Sequence, residues 1–316
     1  MKIFLTGGTG MVGRNILEHR ESNQHLFVAP TSKELNLLDR DAVRASLSQE
    51  MPDLIIHSAG LVGGIQANIA NPVDFLLKNT DMGLNVISSA ASVGIKNLIN
   101  LGSSCMYPRA ANNPLSESLV LQGELEPTNE GYALAKIVAT KLCEYIARED
   151  STKNYKTLIP CNLYGRHDKY GKTNSHLIPA IIRKTHEAKV AGDETVTIWG
   201  DGSARREFMN AADLSDFIYF VMDRLEEIPQ NLNVGLGNDY SIEEYYRAVA
   251  SVVGFEGGFE YDLNKPVGMR QKLVDISQLE SIGWTHKIKL IDGIKQAYEF
   301  YKEDIKNEVS VKHMGP

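Results

Sequence analysis

Short apolar runs alternate with stretches of helical spacing through the first half of the chain. Residues 2–8, KIFLTGG, are a β-branched and aromatic run ending in glycines. Residues 11–20, MVGRNILEHR, have helical spacing, and 25–30, HLFVAP, predict a second strand. A helix over 40–50, RDAVRASLSQE, is opened by Asp39, and 53–60, DLIIHSAG, predict a third strand. Residues 75–93 predict a helix, 97–101 a strand, 132–148 a long helix, and 155–165, YKTLIPCNLYG, a strand and turn. Such alternation implies right-handed crossovers and a parallel, doubly wound sheet. Beyond about residue 166 the pattern loosens into short elements separated by glycine, proline and basic residues. The expected division is therefore 1–165, with later segments returning to it, and a smaller lobe over 166–316. The tail SVKHMGP is expected to be polar and mobile.

Composition narrows the class. The chain has 316 residues, 43% hydrophobic and 23% charged, the balance of an ordinary globular protein. A net charge of -7 argues against nonspecific binding of nucleic acid or an anionic membrane. It leaves room for an anionic ligand in a local cationic pocket. No apolar run reaches the length of a membrane span, and Met1-Lys2 leads straight into a strand-like run. Cys105, Cys143 and Cys161 are odd in number and lack CxxC spacing. That argues against a disulfide framework and a structural zinc, and predicts a reducing, cytoplasmic setting without a metal site.

The first glycine cluster carries chemistry. In TGGTGMVG, Gly7, Gly10 and Gly13 stand at GxxGxxG spacing between a strand and a helix. Gly7 permits the tight turn, Gly10 lets backbone approach a pyrophosphate, and Gly13 lets helix and strand pack closely. The helix start, Met11 and Val12, then offers amides and a positive dipole end to phosphate. A dinucleotide that uses a free ribose 2'-OH needs an acid after the second strand. Here that place reads Ala29-Pro30-Thr31-Ser32-Lys33. Ser32 and Lys33, with Arg14, can instead accept a 2'-phosphate, which predicts NADP(H); the bland alternative is a solvated turn. Asp39 either reaches the adenine region or only caps its helix.

A second cluster is GYALAK, residues 131–136. Tyr132 and Lys136 are four apart, on one helix face. The ammonium is expected to lower the phenol's pKa and make Tyr132 a proton donor to a carbonyl that receives hydride. The serines of GSSCMYP, residues 102–108, stand at a strand end where a hydroxyl would complete a donor set around the nascent alkoxide. By itself the cysteine there, Cys105, reads as packing.

With these pieces in place the sequence resembles the extended short-chain dehydrogenase/reductase family of nucleotide-sugar enzymes. Within it, the resemblance is to members that epimerise and then reduce a GDP-linked 4-keto-6-deoxymannose. It covers nearly the whole chain. It rests on GLVGGIQAN (60–68), LGSSCMYP (101–108), LQGELEPTNEGYALAK (121–136), NLYGRHD (162–168), NSHLIPA (174–180) and WGDGSARREF (199–208). The glycine and YxxxK motifs are common to the superfamily; the cysteine in SSC and the histidine in NSHLIPA are more particular.

The resemblance implies a Rossmann-like doubly wound sheet with a smaller C-terminal α/β substrate lobe, an NADP cofactor, a GDP-sugar substrate and a homodimer. It implies Ser103, Tyr132 and Lys136 as the reductive set, Cys105 and His176 as the epimerisation pair. A ketone at C4 acidifies the protons at C3 and C5, so inversion needs a base on one face of the ring and an acid on the other. A thiolate and an imidazolium suit those tasks. It further implies substrate contacts at Asn162, Lys184, Trp199, Arg206 and Lys272, with Arg206 clamping the diphosphate through its fork. Cys143 and Cys161 are expected to be packing residues. Two departures touch the cofactor: the first loop is GGTG without a basic residue, and the second strand ends without the usual arginines. Alternatives are the same chemistry on a 3-deoxy substrate, a 4-reductase or 4-epimerase of another nucleotide sugar, and a non-catalytic NADP-binding sensor.

Overall fold

A computed structural model describes residues 1–313 except Thr173, Asn174 and Pro266; at 307–313 it describes the helical backbone alone. The first half follows the predicted alternation. It runs β1 (Lys2–Thr6), α1 (Met11–Leu17), β2 (Leu26–Val28), α2 (Arg40–Glu50), β3 (Leu54–His57), α3 (Ile65–Ala70), α4 (Pro72–Ser92), β4 (Asn97–Leu101), α5 (Glu130–Glu149) and β5 (Asn154–Pro160). Pro72 opens α4 at the first helical turn, where its missing N–H costs nothing.

The second half contains more regular structure than its loose pattern predicts. It holds β6 (Asn162–Tyr164), α6 (Leu177–Ala191), β7 (Thr195–Trp199), β8 (Arg205–Arg206), β9 (Phe208–Asn210), α7 (Ala211–Val221), β10 (Asn231–Val234) and β11 (Tyr240–Ser241). It ends with α8 (Ile242–Val253), β12 (Gly258–Asp262), β13 (Gln271–Lys272), α9 (Ser277–Ser281) and α10 (Leu290–His313). The helix α10 runs into the stretch expected to be a loose tail; Met314, Gly315 and Pro316 lie outside the described residues.

The central sheet is parallel in the order β10-β5-β4-β3-β1-β2. Its inner strands β1, β3 and β4 are buried on both faces, as crossover helices require, while β2 is a partly exposed edge. Ile3 and Leu5 pack into one apolar cluster with Ile16 and Phe217, while Phe4 packs into the other with Val43 and Val86. That alternation is the strand period of two. A third cluster, around Ile178, Ile198, Tyr245 and Val249, belongs to the small sheets β12-β7, β11-β8-β13 and β6-β9 with α6, α8 and α10. Strand order reverses between β1 and β3. A crevice therefore opens at the carboxyl ends of the central strands, where doubly wound sheets bind ligands.

Candidate active site

A cleft of about 1120 Å³ lies there, and Thr6, Ser58, Leu101 and Pro160 at or just past four strand ends line it. Its floor is the glycine turn. Gly7 sits at φ 76°, and a Cβ there would lie 2.7 Å from Ala59 N. A Cβ on Gly13 would strike the Gly7 carbonyl and come within 2.7 Å of Gly8 Cα. Gly7, Gly10, Met11, Val12 and Gly13 all line the cleft, so backbone and the start of α1 face it. This cradle, closed to a side chain at Gly7 and Gly13, fits a dinucleotide pyrophosphate.

Ser32 and Arg14 line the cleft, whereas Lys33 and Asp39 are exposed outside its lining. Asp39 Oδ1 accepts from Ala42 N at 3.0 Å and caps α2. The capping role of Asp39 is thereby observed. Arg14 Nη1 lies 3.4 Å from His167 Nδ1, and His167 Nε2 lies 2.7 Å from Glu18 Oε1.

At the centre, Ser103, Cys105, Tyr132, Lys136 and His176 all line the same cleft, although they come from three separate segments. Ser103 ends the extended chain after β4; its Oγ accepts from Cys105 N at 3.3 Å, turning the chain so that Cys105 follows in a single helical turn. Ser104 is buried. Tyr132 and Lys136 project from the first turns of α5, with the ammonium 5.7 Å from the ring centroid. Lys136 Nζ donates to Leu101 O at 2.7 Å, which ties α5 to the end of β4. His176 is the N-cap residue of α6. The loop GLVGG approaches it: a Cβ on Gly64 would lie 2.9 Å from Ser175 O. Asn79 of α4 holds that loop, accepting from Leu61 N at 2.7 Å. The NSHLIPA motif begins at Asn174, outside the described residues.

Electrostatics correct one expectation. Burial raises the Tyr132 phenol, and charge on Cys105 would raise it further. The neighbouring Lys136 ammonium, 5.7 Å from the ring centroid, is itself buried and pushed down to about 8. Tyr132 is therefore a neutral phenol, the form that donates a proton. Burial likewise raises the Cys105 thiol, opposed by the charge of Lys272 and the hydrogen bond with Ser103. Burial lowers His176, helped by the charges of Lys169 and Lys272. The resting pair is thus thiol and neutral imidazole rather than thiolate and imidazolium.

Toward the small sheets the cleft turns cationic. Asn162, Lys184, Trp199, Arg206 and Lys272 all line it. Lys184 Nζ donates to Thr197 O at 3.2 Å and stands 5.2 Å from the Trp199 ring centroid. Arg206 Nη2 donates to Val267 O at 3.1 Å. Asn162 Nδ2 donates to Glu207 O at 2.8 Å. Two further residues touch the cleft. Cys161, expected to be packing, is buried in the core cluster as expected and also borders the cleft just past the end of β5. Asp168 keeps Oδ2 buried without a hydrogen-bond partner among the described residues, and burial pushes its carboxyl up to about 7. No periodicity marks such a loop acid.

The NAD dependent epimerase/dehydratase family matches residues 3–235. A GDP-L-colitose synthase from Yersinia pseudotuberculosis is 53% identical over 308 residues, which cover 98% of this chain and 100% of that one. A GDP-L-fucose synthase from Azorhizobium caulinodans is 50% identical over 95% of this chain and 96% of its own. Among solved structures, a GDP-mannoheptose C4 reductase from Campylobacter jejuni with NADP bound superposes with a TM-score of 0.85 at 34% identity, covering 95% of this chain and 98% of that one. A match across the whole central sheet, with relatives at least half identical along nearly the full chain, means that this protein belongs to the NAD dependent epimerase/dehydratase family.

Proposed function

We propose that the protein is an NADP-dependent epimerase and reductase that converts GDP-4-keto-6-deoxy-D-mannose to GDP-L-fucose. The observation that carries this reading is the lining of one cleft by two chemical sets: Ser103, Tyr132 and Lys136, and Cys105 with His176. Simple reduction needs only the first. In the proposed sequence Cys105 takes the C3 and C5 protons in turn, and His176 returns a proton to each carbon from the opposite face. Loss of the Cys105 proton and gain of one by His176 turn the resting pair into the working pair. NADPH, when bound, supplies the hydride that reduces C4. Tyr132 gives its proton to the C4 oxygen, Ser103 hydrogen-bonds that oxygen, and Lys136 offsets the phenolate left behind. Arg206, Lys272 and Lys184 hold the diphosphate end, Trp199 and Asn162 the rest of the substrate. Residues 1–165 serve mainly the cofactor, and 166–316 mainly the substrate.

A cytoplasmic homodimer is part of the proposal. Val73 and Leu77 on α4, with Leu134 and Val138 on α5, form exposed apolar pairs one turn apart, which supports association through these helices. Three free thiols fit a reducing compartment.

A second reading is favoured by the 53% identity to a protein named GDP-L-colitose synthase: the same chemistry on the 3-deoxy substrate. Purified protein is given NADPH with each keto-sugar, following cofactor oxidation and identifying the product. Oxidation with the 6-deoxy substrate and a GDP-L-fucose product are expected. Oxidation with the 3-deoxy substrate alone transfers the proposal to colitose, and oxidation with neither overturns both.

A further inference from the structure

Glu207 stands between two residues that line the cleft, Arg206 and Phe208, yet its own side chain is fully buried. At this residue the chain changes sheets. Before it, β8 pairs with β13, bringing Arg206 opposite Lys272; after it, β9 pairs with β6, bringing Phe208 opposite Asn162. The Glu207 backbone joins both partners: its N–H donates to Lys272 O at 3.3 Å, and its carbonyl accepts from Asn162 Nδ2 at 2.8 Å. The carboxylate closes the joint from behind. Oε2 accepts from Val274 N at 3.0 Å, two residues past Lys272. Oε1 accepts from Leu236 N and from Gly237 N, the latter at 2.9 Å, on the loop after β10. Burial pushes this carboxyl up to about 7 against the pull of those three amides. Gly235 leaves room for it, since a Cβ there would lie 2.6 Å from Oε1.

We propose that Glu207 is a positioning residue for the substrate end of the cleft: its carboxylate locks β13 and the loop after β10 to the strand switch, and thereby fixes Lys272, Arg206 and Asn162 relative to one another. The assignment rests on the proposed use of those three residues to hold a GDP-sugar. An amide cannot replace the carboxylate, because its NH2 would face an N–H on one side of the joint. Among the described residues no other acceptor serves the N–H that would face that NH2, so it would be left unpaired.

The test measures binding of GDP and of NADPH separately, by calorimetry, to the intact protein. For Glu207→Gln the expected result is a GDP Kd raised by about tenfold or more, the size of one or two lost buried hydrogen bonds. The NADPH Kd should stay within about twofold, since the atoms nearest Gly7, Gly10 and Gly13 belong to the cradle itself and to Ser58 and Ala59. Combining Glu207→Gln with Lys272→Met should be non-additive, the pair losing less than the product of the single losses, because Glu207 acts through Lys272. Should Glu207→Gln fail to fold, Gly235→Ala presses on the same carboxylate and is expected to weaken GDP selectively. Unchanged GDP affinity in either folded variant, equal losses for GDP and NADPH, or multiplicative losses with Lys272→Met would overturn the proposal. Wild-type protein that binds NADPH but no GDP would instead overturn the functional reading on which it rests.

Discussion

At the scale of residues, burial in the cleft moves the two proposed epimerisation groups in opposite directions. Burial raises Cys105 above the usual thiol value of 9.0 and lowers His176 below the usual imidazole value of 6.5. Between those limits the pair carries one proton, and shifting it from sulfur to nitrogen produces the base and acid that inversion needs. Below the lower limit a second proton arrives and the base is lost; above the upper limit the acid is lost. Proton exchange at C3 and C5 is therefore expected to vary by less than about threefold between those two values and to fall outside them, with both limbs belonging to the pair. A deuterium wash-in profile checks this; a single limb inside the window contradicts it. Lys136 gives a different signature. Its folded pKa is depressed to about 8, so its charge is present below that pH and lost above it. Accordingly, kcat/KM for NADPH is expected to fall as pH rises through about 8. Lys136→Arg, which keeps the charge, should move that limb upward at a lower absolute rate, and an unmoved limb would assign it elsewhere.

At the scale of elements, local signals were legible and long-range ones were not. The glycine spacing, the YxxxK helix and the Asp39 helix start were all readable because each is a contact within a few residues. The role of Asp39 was not decided by sequence, since a cap and an adenine contact use the same carboxylate. Its position at the N-cap, outside the cleft, predicts that Asp39→Ala lowers the thermal midpoint by a few degrees and leaves NADPH affinity unchanged. A large loss of cofactor affinity would restore the other reading. A return of later segments to the first half was expected; which strand makes it, β10, and the strand switch at Glu207 depend on residues far apart in sequence, and no periodicity announces either. Charge on the exposed α5 pair, Leu134→Glu with Val138→Glu, is expected to convert a dimer to monomers in sedimentation. A monomeric wild type would remove the dimer from the proposal.

At the scale of the whole molecule, the carboxyl ends of the central strands and residues of the small sheets line one cleft. Cys105 is carried by the turn after β4 and His176 by the start of α6, so the proposed base and acid come from the two halves of the chain. Sequence could nominate both by resemblance, but their facing one cleft depends on how the halves pack. The same packing brings Lys272 near enough to oppose the rise of the Cys105 thiol and to lower His176. The central claim, that Cys105 is the base of a two-site epimerisation, is tested most directly in deuterated water. The protein is incubated with GDP-4-keto-6-deoxymannose without NADPH, and deuterium is read at C3 and C5. Wild type is expected to label both carbons, and Cys105→Ser to cut labelling by about a hundredfold or more while binding NADPH normally. Labelling at C3 and C5 that survives Cys105→Ser would contradict the account.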